Sequence, residues 1–88
     1  MLLEKIGYPS MLEQTAEECS ELSQACLKLS RYMRRENPTD KDLGELKENL
    51  AEEAADVLLC LDELKLVGSQ DVAGWIDYKK NRISERFD

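Results

Sequence analysis

SMLEQTAEECSELSQACLKLSRYMRR, residues 10–35, decides the fold. Within it Leu12, Ala16, Cys19, Leu22, Cys26, Leu29 and Met33 recur every three or four residues, the spacing of one face of an α-helix. Ser10 followed by Glu13 has the form of a capping box, in which each side chain satisfies a backbone N–H at the helix start. The basic group Lys28, Arg31, Arg34 and Arg35 closes the run ahead of Asn37-Pro38, and cations favour a helix C-terminus. The spacing predicts one amphipathic helix over about residues 11–35 whose apolar stripe is core.

The pattern resumes beyond the Asn37-Pro38-Thr39-Asp40 turn, where Thr39 and Asp42 offer a second cap. Leu43, Leu46, Leu50, Ala54, Val57, Leu58, Leu61 and Leu64 keep helical spacing up to Gly68, a suitable stop, so a second helix is predicted over about 40–67. Ser69 caps a third, about 70–86, with Val72, Trp75 or Ile76, Ile83 and Phe87 on its inward side. Short connections favour antiparallel neighbours. The expected architecture is all-α: a long helical hairpin with a third helix laid against it, in one domain spanning residues 1–88.

A chain of 88 residues buries only about 60 to 65 % of its unfolded surface, and three helices make a thin core. Leftover apolar surface is expected to be covered by a second copy, completing a four-helix bundle as a homodimer or a dimer of dimers. The net charge of −7 argues against binding a nucleic acid polymer. No apolar run approaches about 18 residues, so membrane spanning and secretion are not expected and a cytoplasmic location is. Cys19, Cys26 and Cys60 lack CxxC spacing and the chain has no His, so they read as buried, reduced thiols rather than zinc ligands.

An acidic pattern occurs twice on these helices. Glu17-Glu18-Cys19-Ser20-Glu21-Leu22 and Glu52-Glu53-Ala54-Ala55-Asp56-Val57 both read Glu-Glu-x-x-acid-apolar. With 19 acids in the chain, roughly 0.4 such matches are expected by accident, and two with a probability of about one in twenty. At about 100° per residue, Glu21 falls near −60° from Glu18 and Asp56 near −60° from Glu53, with the apolar stripe on the positive side of both. Packing the stripes together brings Glu18, Glu21, Glu53 and Asp56 to one edge of the core, where like charges require protons or cations. Oxygen ligands without His or Cys favour Mg²⁺, with Mn²⁺ as the alternative. Glu17 and Glu52, farther round, suit water-orienting roles. The alternative for all six is a solvated face, as charge runs usually are. No Gly-rich phosphate loop is present.

At these residues the chain resembles the MazG-like, all-α nucleoside triphosphate pyrophosphohydrolase superfamily, whose Glu-x-x-Glu and Glu-x-x-Asp signature is matched by Glu18-x-x-Glu21 and Glu53-x-x-Asp56. The tail Tyr78-Lys79-Lys80-Asn81-Arg82-Ile83-Ser84-Glu85-Arg86-Phe87 is similar to the Lys-x-x-Arg segment of short bacterial and phage members. The resemblance implies Mg²⁺-dependent hydrolysis of a ribo- or deoxynucleoside triphosphate to the monophosphate and pyrophosphate. It also implies a role for Lys79 and Arg82, with Lys28 and Arg31 as weaker candidates, in contacting phosphates. Trp75 and Tyr78 are candidates to face a base, although an aromatic at helical spacing is more often core. Two alternatives stand beside this reading: a phosphoribosyl-ATP pyrophosphohydrolase-like enzyme, and a non-catalytic acidic helical module that dimerises or binds a partner.

Overall fold

The sharpest backbone features are two helix ends where a basic residue takes the left-handed conformation usually left to glycine: Arg35 with φ 60° and Lys65 with φ 63°. In the computed structural model, which describes residues 2–36 and 41–87, these two positions end the long helices. After α1 (Leu2–Ile6), α2 runs Tyr8–Met33, α3 Leu43–Glu63 and α4 Gln70–Phe87. Past α2, the Arg35 and Glu36 amides donate to the carbonyls of Tyr32 and Arg31, and past α3 those of Lys65 and Leu66 donate to Asp62 and Leu61. Both are Schellman closures, which satisfy carbonyls that a helix end leaves without partners. α3 therefore stops at Glu63 and not at residue 67, because the chain turns at Lys65 before Gly68 is reached.

The helix starts differ from expectation in one case. Ser10 lies inside α2, whose N-cap is Gly7 with no side-chain cap, so the expected Ser10–Glu13 box does not form. Pro9 fits the first turn, where a missing N–H costs nothing, and Gly7 at φ 85° makes the corner from α1. The periodicity had no purchase on α1, which is only five residues long. The Thr39 cap and the expected start at residue 40 lie outside the described residues. Asp42 caps α3, its carboxylate accepting from the Glu45 amide at 2.8 Å. Ser69 caps α4 as expected, its Oγ accepting from the Val72 amide at 3.2 Å.

α2 and α3 pack as an antiparallel hairpin. The side chains withdrawn from solvent along the seam are Met11, Thr15, Glu18, Leu22, Ala25 and Leu29 on α2 and Leu46, Glu53, Val57, Cys60 and Leu64 on α3. Steps of three and four give the narrow contact stripe of two long helices in near-parallel packing. Met11, fully buried, clusters with Cys60 and Leu64, and Leu3 of α1 packs against them.

The seam is turned by about one residue from the expected stripe. Leu22 and Leu29 remain in it, whereas Leu12 and Met33 are 47 % and 56 % exposed and Cys19 and Cys26 lie on the surface. Only Cys60 is a buried thiol, so the expectation of three buried cysteines fails for two of them in the single chain. The apolar arc of α2 is wider than one neighbour covers, and α3 takes its Met11–Leu29 side.

The third long helix does not lie against the hairpin as expected. α4 has no buried residue, and Trp75, Ile76, Ile83 and Phe87 are all exposed. The radius of gyration is 16.4 Å, against about 12 Å for a close-packed chain of this length. Among the described residues there is no strand, and no helix is long and apolar enough to cross a membrane.

Candidate metal centre

The register that sets Met11 against Cys60 also fixes the acids. Seven residues further along α2 and seven back along α3 stand Glu18 and Glu53, two turns from that apolar cluster and on the same seam. Three residues on from each, Glu21 and Asp56 stand at the edge beside them. One carboxylate oxygen from each of Glu18, Glu21, Glu53 and Asp56 lies within 4.8 Å of the others. The helical wheel placed Glu18 at the border of the stripe; the structure puts Glu18 and Glu53 within the packed seam, half-buried, with Glu21 exposed at the mouth.

The hydrogen-bond inventory of this cluster is incomplete. Gln14, one turn before Glu18, donates from Nε2 to Glu18 Oε1 at 2.9 Å. Glu18 Oε2 and Glu53 Oε2 are withdrawn from solvent and have no partner. Buried carboxylate oxygens without donors are costly, and the groups acting electrostatically on them are themselves carboxylates. Desolvation pushes the Glu18 carboxyl up, reinforced by Glu21 and Asp56, while Gln14 opposes the shift. Desolvation likewise raises Glu53, with Glu21, Asp56 and Glu52 adding to it. Burial also raises the Cys60 thiol, one turn along from Asp56, with Thr15 holding it down in part. Thr15 Oγ1 itself donates to the Met11 carbonyl at 2.7 Å.

These shifts give stability a definite pH dependence. A carboxyl whose folded value is raised binds protons more tightly folded than unfolded, so its ionisation penalises the folded form. The contribution from Glu18 and Glu53 is full below the ordinary value of 4.5 and is lost as pH rises through their raised values. In chelator, the protein is expected to melt at a higher temperature near pH 5 than near pH 7.5, with a smaller difference in Glu53→Gln. Excess divalent cation should reverse the trend, because it competes with protons for the same oxygens. A melting temperature in chelator that rises from about pH 5 to about pH 7.5 would contradict this account.

Four oxygen donors at this spacing, two of them carrying buried and unpartnered atoms, fit a hard divalent cation. A cation there supplies the positive charge that the seam lacks. Glu17 and Glu52 are exposed and lie outside the four-acid group, with Glu52 close enough to act on Glu53. The candidate cations are not gathered. Lys28 and Arg31 are exposed on α2, about 15 and 20 Å along the helix from Glu18 at 1.5 Å per residue. Lys79 and Arg82 sit on α4, where they line a groove with Ile83 and Arg86. Tyr78 and Trp75 meet edge to face at 5.8 Å, and the Arg82 guanidinium stands 5.9 Å from the Tyr78 ring centre. Gln14 is the polar partner that sequence reasoning missed; its signal is the four-residue step to Glu18, which puts the two on one helix face.

Compared with protein-family models, curated proteins and solved structures, the chain matches none of them.

Proposed function

We propose that this protein is a Mg²⁺-dependent nucleoside triphosphate pyrophosphohydrolase of the MazG-like kind, cutting between the α- and β-phosphates. The observation that carries the reading is the convergence of Glu18, Glu21, Glu53 and Asp56 across the hairpin, with an unpartnered buried oxygen on Glu18 and on Glu53. That arrangement disfavours the solvated-face alternative, in which each carboxylate would be free to turn to water.

The four acids would hold Mg²⁺, or Mn²⁺ in its place, and a triphosphate would enter at the exposed Glu21 side. The bound cation supplies neutralisation of phosphate oxygens and a more acidic water. Glu17 and Glu52, at the solvent side of each acid pair, would orient the attacking water and take its proton. The water oxygen bonds to the α-phosphorus as the α–β anhydride breaks, and pyrophosphate leaves with the electron pair. Lys79 and Arg82 would contact phosphates from an α4 brought to the mouth, and Lys28 and Arg31 from along α2.

Incubation of the protein with ribo- and deoxynucleoside triphosphates, and with phosphoribosyl-ATP, in Mg²⁺ or Mn²⁺ is expected to release pyrophosphate from at least one substrate. No release from any of them, together with no Mg²⁺-dependent rise in melting temperature, would refute the reading. The bare apolar surfaces of α2, α3 and α4 favour the second reading, a non-catalytic association module. That reading leaves the unpartnered Glu18 and Glu53 oxygens unexplained, and it predicts that both acids can be replaced without loss.

A further inference from the structure

The hairpin has two unlike sides. One step of about 100° round α2 from the seam stand Leu12, Cys19, Cys26 and Met33, and the corresponding side of α3 carries Leu43 and Leu58 with the half-buried Leu50 between them. In antiparallel helices that face each other, equal angular offsets fall on the same side of the pair. Both apolar rows therefore share one side, and Glu21 and Asp56, offset in the opposite sense, share the other. A groove lined by Cys26, Leu29 and Met33 of α2 and Leu50 of α3 joins the two rows. No aspartate or glutamate falls on that side of either helix, in a chain that has 19 of them.

The area left uncovered is that of an unfinished fold. The chain exposes 7111 Å² for a mass of 10.1 kDa, whereas a folded monomer of this mass exposes about 5,300 Å². The difference, about 1,800 Å² per chain, exceeds the roughly 800 Å² that each partner gives to an ordinary interface and falls in the range of obligate dimers. Part of it belongs to α4, whose exposed Ile76, Ile83 and Phe87 also lack a neighbour.

We infer that a second copy of this chain covers the acid-free side: two hairpins pack face to face about a two-fold axis, and both carboxylate mouths stay on the outer surface. A chain of net charge −7 meets its own copy with least repulsion through an uncharged face, and a two-fold contact sets that face against itself. The step from small Cys19 and Cys26 to large Leu12 and Met33 lets such surfaces interdigitate. The inference needs no assumption about catalysis, and it accounts for two surface thiols on an otherwise apolar row.

Cys19 and Cys26 report on it directly. Sedimentation equilibrium at micromolar concentration is expected to give twice 10.1 kDa. In that dimer, maleimide should label Cys19 and Cys26 at least about tenfold more slowly than in a dilute, dissociated sample, with the melting temperature rising with protein concentration. The double variant Met33→Glu and Leu58→Glu should sediment as one chain with both thiols labelling fast. Should that variant unfold, thiol protection in the parent protein remains decisive. A monomeric mass, or a dimer whose Cys19 and Cys26 label at the free-thiol rate, overturns the inference. Glu53→Gln should dimerise unchanged, so failure of the interface and failure of the metal centre are separable.

Discussion

Glu53→Gln is expected to lower Mg²⁺-dependent pyrophosphate release by at least about 10²-fold while raising the melting temperature of the metal-free protein. The two effects have one origin. Glu53 stands among Glu18, Glu21 and Asp56 with its Oε2 buried and unpartnered, so its charge is a liability in the absence of a cation and a ligand in its presence. Glutamine keeps the volume, removes one of the converging charges and offers an N–H to a neighbouring oxygen such as Glu18 Oε2, which lacks a donor. The thermal gain on adding Mg²⁺ should shrink in parallel. Melts with and without Mg²⁺ beside a pyrophosphate assay measure all three. Activity within about threefold of the parent, with the Mg²⁺ gain intact, would remove Glu53 from the centre.

Met11→Ala should destabilise the fold by about 3 kcal/mol, read from the midpoint of urea unfolding. Met11 is the one large side chain fully buried, and it joins α1 to the hairpin through Leu3, Cys60 and Leu64. Truncation there leaves a void that helices fixed at both ends by Schellman closures cannot easily fill. For a chain of 88 residues whose whole stability is about 4 to 13 kcal/mol, the loss is a large share. A cost below about 1 kcal/mol would mean that the α1 end of the hairpin is loosely packed. The same position lies two helical turns from Glu18, so a modest loss of Mg²⁺ response is expected to accompany the loss of stability.

Much of the site was legible because an α-helix has a fixed period. Once Glu18, Glu21, Glu53 and Asp56 lie on two helices at matching offsets from apolar residues, packing those residues brings the acids together, and they do converge. The same arithmetic could not say which of several apolar rows would become the seam. α2 carries Met11, Leu22, Ala25 and Leu29 beside Leu12, Cys19, Cys26 and Met33, rows that differ by one step round the helix. Periodicity weighs both alike, and the second row is bare in the single chain. Helix ends were misjudged for a related reason. Gly68 was the evident stop, yet Lys65 adopts the left-handed turn first, and nothing in a lysine announces that.

The sequence by itself determined that the chain is helical, that two long amphipathic helices adjoin a short turn, and that two acid pairs ride on them in the same phase. Those properties are local: each depends on spacing along one helix. The tertiary structure decided that Glu18 and Glu53 enter the seam and leave two oxygens without donors, that Gln14 joins them, and that α4 stands away from the hairpin. These depend on the rotation of one helix against another. Rotation is set by the summed packing of many side chains, and no short pattern in the chain encodes it.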